Sequence, residues 1–100
     1  MSFSVEFEAS AKNDLVTAFT WYESKQSGLG DEFLRSVAAV EESLERDPMR
    51  YPVTKEPYRS AKLRKFPYEL HYRIMDNKVS ILACLHFRQD PARWPGVESC

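Results

Sequence analysis

The stretch YELHYRIMDNKVSILACLHF, residues 68–87, decides the fold, because it predicts two antiparallel strands joined by a tight turn. Apolar and polar residues alternate over 68–75, the pattern of a strand with one buried face. Asp76-Asn77 is a two-residue turn signal. Residues 79–87 are apolar on nearly both faces, so we expect the second strand to lie centrally in the sheet.

The alternation also predicts which face of the first strand packs on the core. The expected core-facing residues are Tyr68, Leu70, Tyr72 and Ile74. The other face carries polar groups, which we expect to be at least partly open to solvent: Glu69, His71, Arg73 and, from the region beyond the second strand, Arg88. This open face is therefore a candidate working surface.

Upstream of this stretch, residues 58–65 predict a further strand of the same sheet. Residues 48–57 contain Pro48, Pro52 and Pro57, which favour a loop over the surface. At the N-terminus, Phe3, Val5 and Phe7 alternate with polar residues and predict a short strand with one buried face.

Between the first strand and the loop, two apolar stripes at three- and four-residue spacing predict two amphipathic helices. We expect Ser10 to cap the first helix, which runs to about Gln26, and Gly28-Leu29-Gly30 to break it. The second opens at Asp31-Glu32 and ends at Asp47-Pro48. The first stripe is Ala11, Leu15, Ala18, Phe19 and Tyr22, and the second is Phe33, Val37, Val40 and Leu44.

The predicted order of elements is β-α-α-β-β-β, an α+β fold. In it an N-terminal strand and an αα-hairpin pack on a twisted antiparallel sheet. We expect residues 1–100 to form a single domain, with the helical hairpin at about 10–47 and the β-meander at about 58–88.

Charge divides the chain into two unlike halves. Residues 1–49 hold four basic and ten acidic residues, a net of −6, whereas residues 50–93 hold ten basic and four acidic residues, a net of +6. Such asymmetry favours a basic face for a polyanion or an acidic partner. The alternative is that the two halves neutralise each other across their packing interface.

The sequence lacks the motifs of several classes of function. Three glycines do not build a phosphate-binding loop, no His, Cys, Asp and Glu cluster has metal-ligand spacing, and we predict no cofactor and no metal. No apolar run reaches the length of a membrane span. The N-terminus has no signal-peptide pattern, so we expect a cytoplasmic protein. Cys84 is expected to be buried and Cys100 to be a free tail thiol.

One constellation of residues remains as a candidate binding site. It consists of cations with aromatic residues among them: Arg59, Lys62, Arg64, Lys65, Arg73, Arg88 and Arg93, with Tyr58, Tyr72, Phe87 and Trp94. Guanidinium groups bind phosphates and aromatic rings stack on bases. The same patch suits an acidic protein segment, and a solvated basic face is the third alternative.

The chain resembles the RelE/ParE toxin superfamily over about residues 3–94. The resemblance rests on Ala18-Phe19-Thr20-Trp21-Tyr22-Glu23, Gly28-Leu29-Gly30-Asp31-Glu32-Phe33 and Phe66-Pro67-Tyr68-Glu69-Leu70-His71-Tyr72-Arg73-Ile74, with the ending His86-Phe87-Arg88-Gln89-Asp90-Pro91-Ala92-Arg93-Trp94. The ending is typical of ParE-like and plasmid-stabilisation members. The resemblance implies the toxin of a bacterial type II toxin–antitoxin system, which causes growth arrest and is neutralised by a cognate antitoxin.

Within this superfamily, ParE-like members inhibit DNA gyrase, and RelE-like members cleave mRNA on the ribosome without a metal. RelE-like enzymes tend to carry an arginine where this chain has Glu69, and a C-terminal tyrosine or similar group where it has Trp94. The resemblance therefore favours a gyrase inhibitor. The alternatives are a ribosome-dependent endoribonuclease, using Lys62, Arg64 and Arg88, and a non-toxic homologue that only binds its antitoxin.

For the antitoxin and for the cellular target alike, we expect contacts with both the helical hairpin and the basic strands. We expect apolar groups of the antitoxin to dock beside Trp21, Tyr22 and the second helix. The predicted target- or antitoxin-binding residues are Trp21, Tyr22, Arg59, Lys62, Arg64, Arg73, Arg88, Arg93 and Trp94.

Overall fold

The computed structural model describes residues 2–87 and residue 95. Its elements, in chain order, are β1 (Ser4–Phe7), α1 (Ala9–Lys25), α2 (Leu29–Arg46), a 3-10 turn (Pro48–Arg50), β2 (Val53–Lys55), β3 (Tyr58–Lys62), β4 (Tyr68–Met75) and β5 (Lys78–His86). The strands form one sheet in the order β1-β5-β4-β3-β2, and the two helices pack on one of its faces.

The predicted α+β fold class is confirmed, with one difference in the direction of a strand. β1 runs parallel to β5, with Val5 opposite Val79, whereas the other neighbouring strands are antiparallel. The sheet is therefore mixed, and β5 lies inside it, as its two apolar faces predict.

A second difference lies in the proline-rich segment, which was predicted to be a loop throughout. Val53–Lys55 forms a short edge strand in which Val53 pairs with Arg59. Proline is tolerated beside an edge strand because the strand has hydrogen-bonding partners on one side only. Pro52 and Pro57 therefore limit the strand to three residues without preventing it.

The third strand ends three residues earlier than predicted, at Lys62. Beyond it the chain turns through a five-residue loop, residues 63–67. The turn depends on Lys65, whose φ of 72° lies in the left-handed region, and on the Leu63 N–H, which donates to the Tyr68 carbonyl at 2.9 Å. The pairing of β3 with β4 ends where the chain enters this turn.

The helices follow their predicted stripes closely, but Ser10 does not cap α1. The helix begins at Ala9, and the Ser10 hydroxyl donates instead to the Leu82 carbonyl at 2.7 Å. In α2, the predicted stripe of Phe33, Val37, Val40 and Leu44 is buried. This hydrogen bond and this stripe connect the helical hairpin to the sheet.

The Glu23 carboxylate binds the backbone at the junction of the helices, where α2 begins at Leu29 and not at the predicted Asp31. Its two oxygens accept from the N–H groups of Gly28 and Gly30, at 3.0 and 2.9 Å. Gly28 has φ 91°, and a Cβ added at Gly30 would lie 2.7 Å from the Phe19 ring. Glycine is required at the first position by conformation and at the second by close packing.

A bulge in β5 changes which side chains share a face. His71 pairs with Ala83, whereas the next residue, Tyr72, pairs with Ile81, so Leu82 is the extra residue. One inserted residue reverses the alternation beyond it. Ile81 and Cys84 consequently both join the core beneath the helices.

The expectation that the second face of β4 is partly open was wrong for two of its residues. Glu69 is 6% exposed and His71 has no exposed surface. Their cross-strand neighbours on that face include Ser60 and Ala83 beside His71, and Leu85 beside Glu69, all buried. Arg73, further along the strand, is half-buried.

Candidate functional site

The described cations of the predicted basic constellation are distributed over both faces of the sheet and the loop between β3 and β4. Arg59 points to the helix-covered side, because it lies opposite Tyr72, and its Nη1 donates to the carbonyls of Met49 and Tyr51 at 3.1 and 2.7 Å. A guanidinium held by two carbonyls stabilises the 3-10 turn. Arg59 is thus a structural anchor, a role that its sequence context did not indicate.

Lys62 and Arg73 share the opposite face of the sheet but lie far apart. Lys62 is paired with Glu69 and Arg73 lies four residues further along β4, a separation of roughly 13 Å at the usual strand rise. The Lys62 Nζ lies 5.2 Å from the centre of the Phe87 ring. The Arg73 Nε is buried and has no hydrogen bond to any described residue. These cations form two separate positions and not a single cluster.

The remaining described cations of the constellation, Arg64 and Lys65, are exposed in the loop after β3. Arg64 lies next to α2, where its carbonyl accepts from the Ser36 hydroxyl at 2.8 Å. Arg88, Arg93 and Trp94 lie outside the described residues, so their roles stay predictions.

An acid and a base lie side by side between Lys62 and Arg73. The His71 Nε2 is 3.6 Å from the Glu69 Oε1. Burial lowers the pKa of His71, although the carboxylates of Glu69 and Asp14 act in the opposite direction. The imidazole is therefore neutral at pH 7. Since both side chains are buried, neither has the access to solvent that a group acting on a polymer substrate needs.

Trp21 and Tyr22 were predicted as a contact pair, and the structure separates their roles. Tyr22 is 8% exposed and lies in the core, stacked on Phe33 and edge-on to Phe66. Trp21 is 54% exposed, its ring edge-on to Tyr22 with the Lys25 Nζ 5.0 Å from its centre. Trp21 is thus an exposed aromatic residue that packs against the buried Tyr22.

Beside Trp21, a cleft runs between α1 and the end of β5, and we call it the α1–β5 cleft. One part, of about 370 Å³, has mainly apolar walls; the adjoining part, of about 630 Å³, is more polar. Both parts are lined by Thr17, Tyr68 and His86, the first also by Trp21 and Pro67, and the second by Asn13, Asp14 and Cys84.

The cleft exists because β1 is shorter than β5. β1 pairs with β5 only as far as Ile81, and beyond that point α1 takes over the strand edge. There the Asp14 Oδ2 accepts from the Cys84 N–H at 3.0 Å. Tyr68 and His86 form the floor as a cross-strand pair, with ring centres 5.2 Å apart. The register counted from the hairpin turn does not predict this pair, because the bulge at Leu82 shifts the pairing by one residue.

Two titratable groups of the cleft, Tyr68 and Cys84, are held in their neutral forms. Burial raises the pKa of Tyr68 and, together with the nearby Asp14 carboxylate, raises the pKa of the Cys84 thiol to about 12. A thiol is nucleophilic only as the thiolate. Cys84 is therefore a packing residue and not a nucleophile of the cleft.

Within residues 2–87 and 95, no three His, Cys, Asp or Glu side chains are grouped so as to hold a metal ion. In that same part of the chain, neither helix is long and apolar enough to cross a membrane.

Comparison with known proteins gives the chain a family. Residues 5–91 match the ParE toxin of the type II toxin–antitoxin system, parDE. No curated protein sequence matches the chain. Among solved structures, the chromosomal ParDE system from P. aeruginosa is similar with a TM-score of 0.75 and 15% identity, covering 85% of this chain and 96% of that chain. At this identity, the likeness shows the fold alone.

A second solved structure is closer in sequence. The RelBE2 toxin–antitoxin complex from Mycobacterium tuberculosis is similar with 31% identity and a TM-score of 0.54, covering 86% of this chain and 99% of that chain. The family match covers most of the chain, and the superfamily resemblance seen in the sequence is confirmed. The chain belongs to the ParE toxin family of type II toxin–antitoxin systems.

Proposed function

We propose that this toxin acts in the cytoplasm by binding and inhibiting DNA gyrase, and that a cognate antitoxin neutralises it. The observation that carries the proposal is the burial of the acid–base pair nearest to Lys62, one of the candidate nuclease cations. Lys62 lies on the sheet face, Arg64 lies in the loop beside α2, and the acid–base pair nearest Lys62 is buried. A surface of this kind favours binding over bond cleavage.

Metal-independent RNA cleavage requires a base that reaches the 2′-hydroxyl and cations that reach the same phosphate. His71 is neutral and therefore has the right protonation state for a base, but it has no exposed surface. Glu69 lies opposite Lys62 across the strands, and an acid at this position would repel a phosphate. These features weigh against the RelE-like alternative, in which Arg88 would supply a further cation.

Two assays on one preparation test this proposal. Purified toxin is added to a gyrase supercoiling reaction and, separately, to a translating extract whose mRNA is followed by primer extension. We expect inhibited supercoiling or trapped gyrase–DNA cleavage complexes, with intact mRNA. Cleaved mRNA with unaffected gyrase, lost on Arg64→Ala or Arg88→Ala, would establish the nuclease instead. No effect in either assay, with normal growth on expression, would identify a non-toxic antitoxin-binding homologue.

For the antitoxin, the α1–β5 cleft is the proposed docking site. Trp21 is exposed beside apolar walls, and such an aromatic position suits an apolar anchor of a partner. The cleft lies between α1 and the sheet. We therefore expect the apolar anchor of the antitoxin to contact Tyr68 and His86 in place of the second helix. The cognate antitoxin is expected in a neighbouring reading frame.

The affinity of the toxin–antitoxin complex tests this docking site. We expect Trp21→Ala to weaken the affinity at least about tenfold, equivalent to about 1.4 kcal/mol. The reason is that the apolar anchor of the antitoxin would lose the aromatic surface against which it packs. Met49→Ala is the matched control, since Met49 is exposed but lies outside the cleft. Equal affinities for the two variants would contradict the proposal. Arg73→Glu tests the basic face separately, and Arg59→Glu is avoided because it would also disrupt the 3-10 turn.

A further inference from the structure

The loop between β3 and β4 presents two cations on a fixed backbone. Arg64 and Lys65 are exposed, and the residues on either side of them, Leu63 and Phe66, are buried in the core. The Ser36 hydroxyl donates to the Arg64 carbonyl at 2.8 Å, which ties the loop to α2. The loop is thus held at both ends and from the side, and its charged tip is preorganised.

A third cation completes a hollow at this point. Arg35 of α2 lies across from Arg64 and Lys65, and the three line a hollow of about 270 Å³ whose apolar lining includes Phe66. Glu32 also lines the hollow and contributes one carboxylate. Among the described residues, none of these four charged groups is in a salt bridge. The hollow therefore carries a net positive charge that the fold does not neutralise.

The backbone at Lys65 gives an independent sign that this charge matters. Its φ is 72°, a left-handed conformation that is costly for a residue with a Cβ and free of that cost for glycine. Backbone conformation alone would favour glycine or asparagine here. The chain instead places a lysine at the strained position, directly at the hollow. Local strain that the surroundings hold in place is a common feature of functional positions.

The surroundings restrict the kind of anion that fits. The face of α2 that lines the hollow carries Glu32 at one end, and three- and four-residue spacing brings Glu42 onto the same face beyond Ala39. An extended polyanion lying along this face would meet both carboxylates. A single compact anion in the hollow would meet three cations and only the Glu32 carboxylate, a net of two positive charges that suits a dianion. Guanidinium groups bind tetrahedral phosphate oxygens in a bidentate manner.

We propose that the hollow between α2 and the β3–β4 loop is a binding site for one phosphate monoester dianion, held by Arg35, Arg64 and Lys65. Free phosphate and the phosphate of a nucleoside monophosphate share this chemistry. The site is distinct from the α1–β5 cleft, and it does not rest on gyrase or the antitoxin as partners. Its failure would leave the proposed function unaffected.

The test is titration of the full-length toxin with inorganic phosphate and with adenosine monophosphate, at constant ionic strength, followed by phosphorus NMR. Lys65→Gly is the sharpest variant, because it removes the charge and the backbone strain together. We expect it to weaken phosphate binding at least fivefold while its urea unfolding midpoint stays equal or rises. Arg35→Gln should weaken binding similarly, whereas Arg46→Gln, on the same helix but outside the hollow, should not.

The two phosphates distinguish the source of the ligand. Equal affinities would support a site that contacts the phosphate group alone, and tighter binding of adenosine monophosphate would support a nucleotide. No saturable binding, or binding unchanged in both Lys65→Gly and Arg35→Gln, would overturn the proposal. Equally strong competition by an acidic peptide or by duplex DNA would also overturn it, because the site would then select negative charge in general.

Discussion

The two faces of β4 are both buried at its centre, but different chemistry fills them. On the helix-covered face, Leu70 and Tyr72 have no exposed surface and belong to the main core. On the other face, Glu69 and His71 are almost as completely buried. Burial of apolar groups drives folding, whereas burial of titratable groups opposes it. We infer that the first face supplies stability and that the second makes stability depend on pH.

Substitution of the apolar face should have the largest effect. Leu70→Ala removes a fully buried side chain beneath the helices, and we expect it to lower the free energy of unfolding by about 2–5 kcal/mol, since a cavity remains. Met75→Ala, on the same strand but 53% exposed, is the control and should change it by less than about 0.5 kcal/mol. Urea denaturation measures both. Similar losses would mean that the faces of β4 do not differ as described.

A polar atom within the apolar face should have the next largest effect. The Tyr72 hydroxyl donates to the Pro48 carbonyl in the interior, and burial raises the pKa of this phenol, so it stays protonated. Tyr72→Phe leaves that carbonyl without its donor, and we expect a loss of about 1–3 kcal/mol. Tyr51→Phe removes a hydroxyl that donates to Ser43 in a less buried setting, and it should lose less. The reverse order of the two losses would contradict this account.

The helical half of the fold was predictable because its signal is local. Phe33, Val37, Val40 and Leu44 repeat at helical spacing, and the structure buries all four. The detailed pairing of the strands was less predictable. Counting from the turn at Asp76-Asn77 places His86 opposite residue 67, but the bulge at Leu82 places it opposite Tyr68. An inserted residue leaves no mark in an apolar run, and the floor of the α1–β5 cleft depends on it.

The candidate site was predicted by residue type but not by arrangement. Charge asymmetry pointed to the basic strands, yet whether a cation is available depends on contacts distant in sequence. Arg59 is occupied by the carbonyls of Met49 and Tyr51, and no periodicity reports such contacts. Arg35, in contrast, lies in the acidic half of the chain and joins Lys65 only through tertiary packing.

Substitution on the face of β4 that carries Glu69 and His71 should have the smallest effect on the free energy of unfolding, visible mainly in its pH dependence. Burial lowers the pKa of His71, so below its usual value near 6.5 the unfolded chain binds a proton that the folded chain does not. Stability should therefore fall as pH decreases, by as much as about 1 kcal/mol between pH 7 and 5.5 from this group. Urea denaturation at both pH values measures the difference. We expect His71→Gln to reduce it and His86→Gln, the variant of the other histidine, to retain it. An equal pH dependence in the two variants would show that the buried imidazole is not its source, and the distinction between the two faces would then rest on packing alone.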